Sequence, residues 1–72
     1  MKKRHEWTEV TVIADTIKPH KIAAWGKEQF GEQWGIHNKE GTWQFLWAGN
    51  FQKYNAYFAN DEDAMLFKLK WQ

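Results

Sequence analysis

Residues 59–71 read Ala-Asn-Asp-Glu-Asp-Ala-Met-Leu-Phe-Lys-Leu-Lys-Trp, and this stretch predicts a helix with two well-defined ends. Asn60 is a favourable N-cap because its side-chain oxygen can accept a hydrogen bond from a free backbone amide of the first turn. Three carboxylates follow, where the helix dipole is positive, and Lys68 and Lys70 lie in the last turns, where it is negative. The apolar residues nearly encircle the helix, so one face can pack against a sheet and a surplus remains.

The apolar residues of this predicted helix divide into two groups. One group forms a single stripe that can pack against a sheet: Ala64, Phe67 and Trp71. The other group lies largely off that stripe, and we predict that it forms the interface with a second copy of the chain: Met65, Leu66 and Leu69.

The whole chain has 72 residues and no cysteine. A chain of this length has room for one domain and buries only about 60% of the surface that it exposes when unfolded, so its stability is marginal. Small domains usually gain stability from disulfides, a metal or oligomerisation, and the lack of cysteine leaves oligomerisation as the expected means. We therefore expect a homo-oligomer with a single domain at 6–72, preceded by a flexible basic tail at 1–5.

The net charge of +1 and the absence of long apolar runs restrict the location and the partners. A nearly neutral protein has no strong electrostatic field to attract nucleic acid. No segment has the length and hydrophobicity of a signal peptide or a membrane span. We expect a cytoplasmic protein that does not associate with membranes, and for which nucleic acid is a less favoured partner.

Alternating β-branched, aromatic and polar residues predict strands at 6–14, 42–48 and 51–59. A shorter alternation predicts a further strand at 32–38. Helical spacing of apolar residues predicts a helix at 19–30. With the closing helix, these elements predict an α+β fold: a two-layer sandwich whose antiparallel sheet carries two helices on one face, in the order β-α-β-β-β-α. The other face of the sheet is open unless something covers it.

The first predicted helix has a clear start, a clear end and one anomaly. Pro19 suits the first turn, where its missing N–H is not needed, and Gly31 suits a left-handed cap at the end. Gly26 lies inside the helix and costs about 1 kcal/mol relative to alanine. We expect this glycine to allow a close approach of the helix backbone to the sheet.

The residue types argue against catalysis. The chain contains no serine and no cysteine, which excludes both as nucleophiles. The histidines are scattered without metal-ligand spacing, at His5, His20 and His37. The clustered carboxylates at 61–63 are explained by the start of the closing helix, and the glycines match neither nucleotide-binding fingerprint. We therefore expect neither an enzyme nor a bound metal or cofactor.

The aromatic residues favour a binding function instead. Six Trp, five Phe and two Tyr are more rings than we expect one small core to hold. Rings that stack on bases, with lysines on phosphates, are how single-stranded nucleic acids and nucleotides are held. We predict that a nucleotide-like ligand is bound by four rings and one lysine: Trp43, Trp47, Tyr54, Tyr57 and Lys53.

The end of the chain resembles a group of viral proteins. Residues 57–64, Tyr-Phe-Ala-Asn-Asp-Glu-Asp-Ala, and 67–71, Phe-Lys-Leu-Lys-Trp, resemble the endings of small uncharacterised accessory proteins of tailed bacteriophages. In those proteins a strand ending in Phe leads into an acidic turn and a Phe-x-Leu-x-Trp helix, and Trp-Gln-Phe-Leu-Trp at 43–47 fits the same picture. The resemblance implies a phage accessory protein of the host bacterial cytoplasm that binds and neutralises a host component. It carries over no site residues.

Three functions remain open from the sequence. The first is sequestration of a nucleotide-like signal of host antiviral immunity, which evades host defence. The second is inhibition of a host protein through an exposed aromatic patch, and the third is repression by RNA binding. The ring-bearing face of the sheet is also a candidate homo-oligomer interface, and a ligand site can form where subunits meet.

Overall fold

Three antiparallel strands and two helices form the fold, which confirms the predicted α+β class. The computed structural model describes three stretches: 6–14, 17–49 and 52–72. The elements follow in the order β1 (Thr8–Ile13), α1 (Pro19–Phe30), β2 (Trp43–Trp47), β3 (Lys53–Phe58) and α2 (Asp61–Trp71). The predicted tail at 1–5 and residues 50–51, between the second and third strands, lie outside the described residues.

The central strand of the sheet is β3, which pairs antiparallel with β1 on one side and with β2 on the other. Phe58 lies opposite Thr8 of β1 and opposite Trp43 of β2. Because side chains alternate along a strand, every second residue of each strand faces the same side. Val10 and Phe58 are buried on that side, where both helices pack.

The prediction of a short strand at 32–38 is wrong. The chain makes a turn there, closed by an isolated bridge in which Gly35 and Asn38 exchange two backbone hydrogen bonds of 3.0 and 3.1 Å. Ile36, which suggested an alternating strand, lies in this turn and is 80% exposed. The alternation was too short to distinguish a strand from a turn that carries one exposed apolar residue. The element order is therefore β-α-β-β-α.

The same segment protects the edge of the sheet. The Trp34 amide donates to the Trp43 carbonyl at 2.8 Å, and the side-chain oxygen of Gln33 accepts from the Phe45 amide at 2.8 Å. These two bonds satisfy backbone groups on the side of β2 that faces away from β3. An edge strand whose backbone groups are satisfied in this way is a poorer template for unwanted strand pairing.

Aromatic rings dominate the core, which holds more of them than the sequence led us to expect. Trp43, Phe58 and Phe67 are each 0% exposed. Five further rings pack against these, from both helices and the sheet: Trp25, Phe30, Phe45, Tyr54 and Trp71. The pairs are mostly tilted or edge-to-face, such as Phe30 on Phe58 at 5.3 Å and 74°, and this geometry suits the ring quadrupoles.

Gly26 fulfils the predicted role of a close approach between helix and sheet. It is buried in α1, and a Cβ atom at this position would lie 2.6 Å from Cζ3 of the Trp43 ring. The indole N–H of Trp43 donates to the Gly31 carbonyl at 2.8 Å, just beyond the end of α1. Gly31 itself ends the helix with a positive φ of 85°. The tryptophan thus lies directly beneath the second half of α1.

The start of α2 differs in one detail from the predicted cap. Asn60 occupies the N-cap position, as predicted, but its side chain makes no capping hydrogen bond to the backbone. Its amide instead donates to the Asp63 carboxylate at 3.3 Å, and its backbone carbonyl accepts from the Asp63 amide. The Asp61 carboxylate accepts from the Thr8 hydroxyl and so connects the helix start to β1. Two acidic residues therefore share in fixing the start of α2.

Replacement of Gly26 by alanine tests the close contact with Trp43. In an unobstructed helix, Gly→Ala stabilises by about 1 kcal/mol. We expect Gly26→Ala to destabilise the protein by about 1–3 kcal/mol instead, because the added methyl overlaps a buried ring. The melting temperature should fall by at least about 5 °C in a domain of this size.

The matched control is Gly35→Ala, because a Cβ atom at Gly35 meets nothing within 4 Å. We expect this control to change stability by less than about 0.5 kcal/mol. A Gly26→Ala variant as stable as the parent would show that α1 does not approach Trp43 this closely.

Candidate functional site

The sheet separates the five predicted ligand-binding residues into two groups. The registers place Trp43, Trp47 and Tyr54 on the helix-facing side and Lys53 and Tyr57 on the opposite side. They therefore do not surround one ligand within a single subunit. Trp43 is 0% exposed and belongs to the core, so the prediction that it stacks on a ligand does not fit this structure.

On the helix-facing side, Trp47 offers the more accessible ring. It is 61% exposed at the end of β2. Tyr54 lies opposite it in the register but is half-buried, and its ring stacks on Phe45 with a centroid distance of 5.2 Å and an interplanar angle of 9°. One face of Tyr54 is therefore already occupied by a core ring.

The opposite side of the sheet carries no helix within the described stretches, because both helices pack on the other side. We call this surface the open sheet face, and it consists of alternate residues of the three strands: Glu9, Thr11, Ile13, Gln44, Leu46, Lys53, Asn55 and Tyr57. It combines hydrogen-bonding groups, a tyrosine ring and two exposed aliphatic side chains. Uncovered antiparallel sheets are usually solvated on such a face.

A chain of side-chain hydrogen bonds crosses the middle of the open sheet face. The Thr11 hydroxyl donates to the side-chain oxygen of Asn55 at 2.9 Å. The Asn55 amide nitrogen donates in turn to the Tyr57 hydroxyl at 3.3 Å. Thr11 and Asn55 are direct cross-strand neighbours, and such pairs contribute to the stability of a sheet. These two bonds restrain the three side chains before any partner binds.

The two ends of the open sheet face differ in character. At one end Ile13 is 58% exposed and Leu46 is 45% exposed, with Lys53 opposite Ile13 in the register. Beyond the other end of the face, the rings of Trp7, which precedes β1, and Trp34 meet edge to face with centroids 6.5 Å apart. Along the strands the face itself passes from polar at Glu9 and Gln44 to aliphatic at Ile13 and Leu46.

The helix-bearing side of the described residues also carries a cleft. A shallow cleft of about 320 Å³ beside α1 is lined by His20, Ala23, Ala24, Lys27, Glu32 and Gln33. Its one ion pair, Lys27 to Glu32 at 3.0 Å, joins side chains that are 65% and 69% exposed, and such pairs contribute little energy. No group of three or more potential metal ligands occurs among the described residues. In the same stretches, no helix has the length and hydrophobicity needed to cross a membrane.

Thr11 and Asn55 were not predicted as site residues. Neither residue type indicates a binding site when it occurs in a strand. Threonine is common in strands, and a single asparagine usually indicates a turn. Alternation in the predicted β3 places Asn55 with Tyr57, but their link to Thr11 requires the register between β1 and β3. The register was the missing information.

Family models, curated proteins and solved structures were compared with the chain, and none of them matches it.

A double-mutant cycle tests whether Thr11 and Asn55 form the bond across the open sheet face. We expect Thr11→Val and Asn55→Ala each to lower the free energy of unfolding by about 1 kcal/mol, because each removes one hydrogen-bonding partner. Urea unfolding of the double variant should reveal a coupling energy of about 0.5–1 kcal/mol.

The control cycle pairs Thr11→Val with Gln44→Ala, whose side chains lie on the two outer strands of the sheet. That pair should be additive within about 0.5 kcal/mol. Additivity in the first cycle as well would contradict the hydrogen-bonded chain.

Proposed function

We propose that this is a non-enzymatic binding protein that recognises a partner protein through its open sheet face. The observation that supports this proposal best is the hydrogen-bonded chain of Thr11, Asn55 and Tyr57 at the centre of an uncovered sheet. Side chains that are already fixed lose little conformational entropy when a partner binds. Tyrosine is among the residues that most often dominate the energy of protein interfaces.

The shape and charge of the face favour a protein over a polyanion. A flat strand surface buries area efficiently against another flat surface, whereas small ligands are usually held in concave pockets. Its charged residues, Glu9 and Lys53, are of opposite sign, so the face has no strong field to attract phosphates. Exposed Ile13 and Leu46 supply the apolar area that the core of an interface needs.

The resemblance to accessory proteins of tailed bacteriophages supports a biological setting for this proposal. We propose that the partner is a protein of the bacterial host and that binding inhibits it in the host cytoplasm. The residues that carry the resemblance lie in β2, β3 and α2, and three of them are on the open sheet face: Gln44, Leu46 and Tyr57. The setting and the binding surface are therefore supported in part by the same residues.

The test is a set of surface variants measured against a partner captured from the host and then purified. We expect Tyr57→Ala and Leu46→Asp each to raise the dissociation constant by about tenfold or more, because each removes contact area from the face. Calorimetric titration gives the constants, and far-UV circular dichroism checks that the variants are folded.

The control for this experiment is Glu28→Ala, which alters an exposed residue of α1 away from the sheet. It should bind as tightly as the parent. Unchanged affinity in both sheet variants would show that the partner uses another surface, and failure to recover any direct partner would count against the proposal.

A nucleotide-like ligand is the second candidate, and one observation favours it. Tyr57 and Lys53 lie on the same strand and the same face, four residues apart, which corresponds to about 13 Å. A base stacked on Tyr57 would leave its phosphates within reach of the Lys53 ammonium, with Asn55 between them. The flatness of the face argues against tight binding unless a second subunit closes the site.

This alternative is tested by a melting screen against cyclic and linear nucleotides. A shift of several degrees with one nucleotide, lost in Lys53→Ala and kept in Lys21→Ala, would favour the nucleotide over the protein partner. The control lysine is exposed on α1, on the other side of the sheet. The absence of any shift at millimolar nucleotide would exclude this candidate.

A further inference from the structure

The outward face of α2 carries three large apolar side chains that are 42% exposed or more, and Glu62 lies on the same face near the start of the helix. Met65 is 64% exposed, Leu66 is 42% exposed and Leu69 is 78% exposed. The inward stripe is the one predicted, since Ala64 is 3% and Phe67 is 0% exposed. The helix is therefore apolar around most of its circumference, and one side of it has no partner among the described residues.

Charged residues border this apolar face in a regular pattern. Asp61 and Lys68 are seven residues apart, which is close to two helical turns, so both lie along one border. Asp63 and Lys70 have the same separation and lie along the other border. Each border thus begins with a carboxylate and ends with an ammonium group. Positions that flank an apolar helix stripe in this way set partner choice and orientation in helix pairs.

We propose that a second copy of this chain covers the face, with the two α2 helices packed antiparallel about a two-fold axis. In this arrangement Lys68 lies beside Asp61 of the second copy on one border. On the other border Lys70 lies beside Asp63 of the second copy. A parallel arrangement would place like charges side by side and is excluded by the same pattern.

The centre of the arrangement supports the same register. The two charge pairs are centred one residue to either side of the midpoint between Met65 and Leu66, so the exposed apolar residues of the two helices meet near the two-fold axis. The helix dipoles also run antiparallel, and the acidic start of each helix is next to the basic end of the other. A contact in which the same patch serves both partners is the usual form of a two-fold dimer.

This dimer is independent of the proposed partner binding. The α2 helix lies on the helix-bearing side of the sheet, so pairing through it leaves both open sheet faces pointing away from each other. The interface is small, since an eleven-residue helix is about 16 Å long. We expect association in the micromolar range, which is typical of the smallest specific interfaces.

A charge-exchange experiment tests both the occupant and the orientation. The acidic variant Lys68→Glu/Lys70→Glu and the basic variant Asp61→Lys/Asp63→Lys should each self-associate at least tenfold more weakly than the parent, because both helix borders then carry one sign of charge. Mixed in equal amounts, the two variants should recover association as a heterodimer. Analytical ultracentrifugation with one variant labelled distinguishes the species.

The matched control is Lys18→Glu/Lys21→Glu, which changes the net charge by the same amount at exposed positions at and near the start of α1. It should dimerise like the parent. A further variant, Leu69→Glu, should be a folded monomer because this side chain makes few contacts within its own subunit. It keeps the test valid if the basic variant, which removes the Asp61 bond to Thr8, loses stability.

The outcomes that overturn the proposal are definite. A parent protein that is monomeric at about 100 μM would refute the dimer. Variants that still self-associate, or that fail to combine when mixed, would refute the antiparallel charge pairing. Association that survives Leu69→Glu would place the interface on another surface.

Discussion

The packing of Trp43 beneath α1 is the contact on which the other elements depend. Its ring lies against Gly26, its indole N–H is bonded to the Gly31 carbonyl, and its own carbonyl accepts from the Trp34 amide. The ring also stacks on Phe58 of the central strand, at 6.2 Å and 15°. One residue of an edge strand therefore fixes the distance of a helix, the end of that helix and the path of the following loop. Such convergence compensates for the small core of a short chain.

The two remaining surfaces follow from that arrangement. Because α1 packs on Trp43 and α2 packs through Phe67 on Phe58 and Phe45, both helices occupy the same side of a three-stranded sheet. Among the described residues, the sheet is then left with one face that carries no helix, and α2 with one exposed side. These surfaces lie on opposite sides of the molecule, so each can be occupied without blocking the other.

Most of the fold was predictable because it depends on local periodicity. The bounds of α1 were predicted to the residue, since Pro19 and Gly31 mark its ends, and alternation located all three strands. The side of the sheet on which each ring lies was not predictable. Trp43 and Tyr57 are both aromatic strand residues, and only the register of β2 and β3 with respect to the helices places one in the core and the other on the open face. The predicted site mixed the two for this reason.

Two local predictions failed because competing interactions of similar energy were available. A side-chain cap by Asn60 competes with a hydrogen bond from the Asn60 side-chain amide to Asp63. The Asp63 carboxylate, which was expected only to interact with the helix dipole, is the acceptor of that bond. A strand at 32–38 competes with a turn, and the Gln33 side chain satisfies the Phe45 amide without one. In both cases a side chain replaced the expected backbone partner. The periodicity of a sequence does not indicate such side-chain hydrogen bonds.

The apolar residues on both sides of α2 connect the folding of the subunit with the proposed association. A helix of this length is marginal in isolation, so it depends on packing for its stability. Phe67 anchors its inner side to the sheet, whereas Met65 and Leu69 remain mostly exposed and gain little from the subunit's own core. Burying them against a second copy would hold the same helix from both sides, and mass action would then raise the stability of the subunit with concentration. On this argument the exposed apolar residues of α2 reflect the small size of the domain, whereas the polar chain on the open sheet face, which a monomer does not require for its core, is the feature on which the proposed recognition rests.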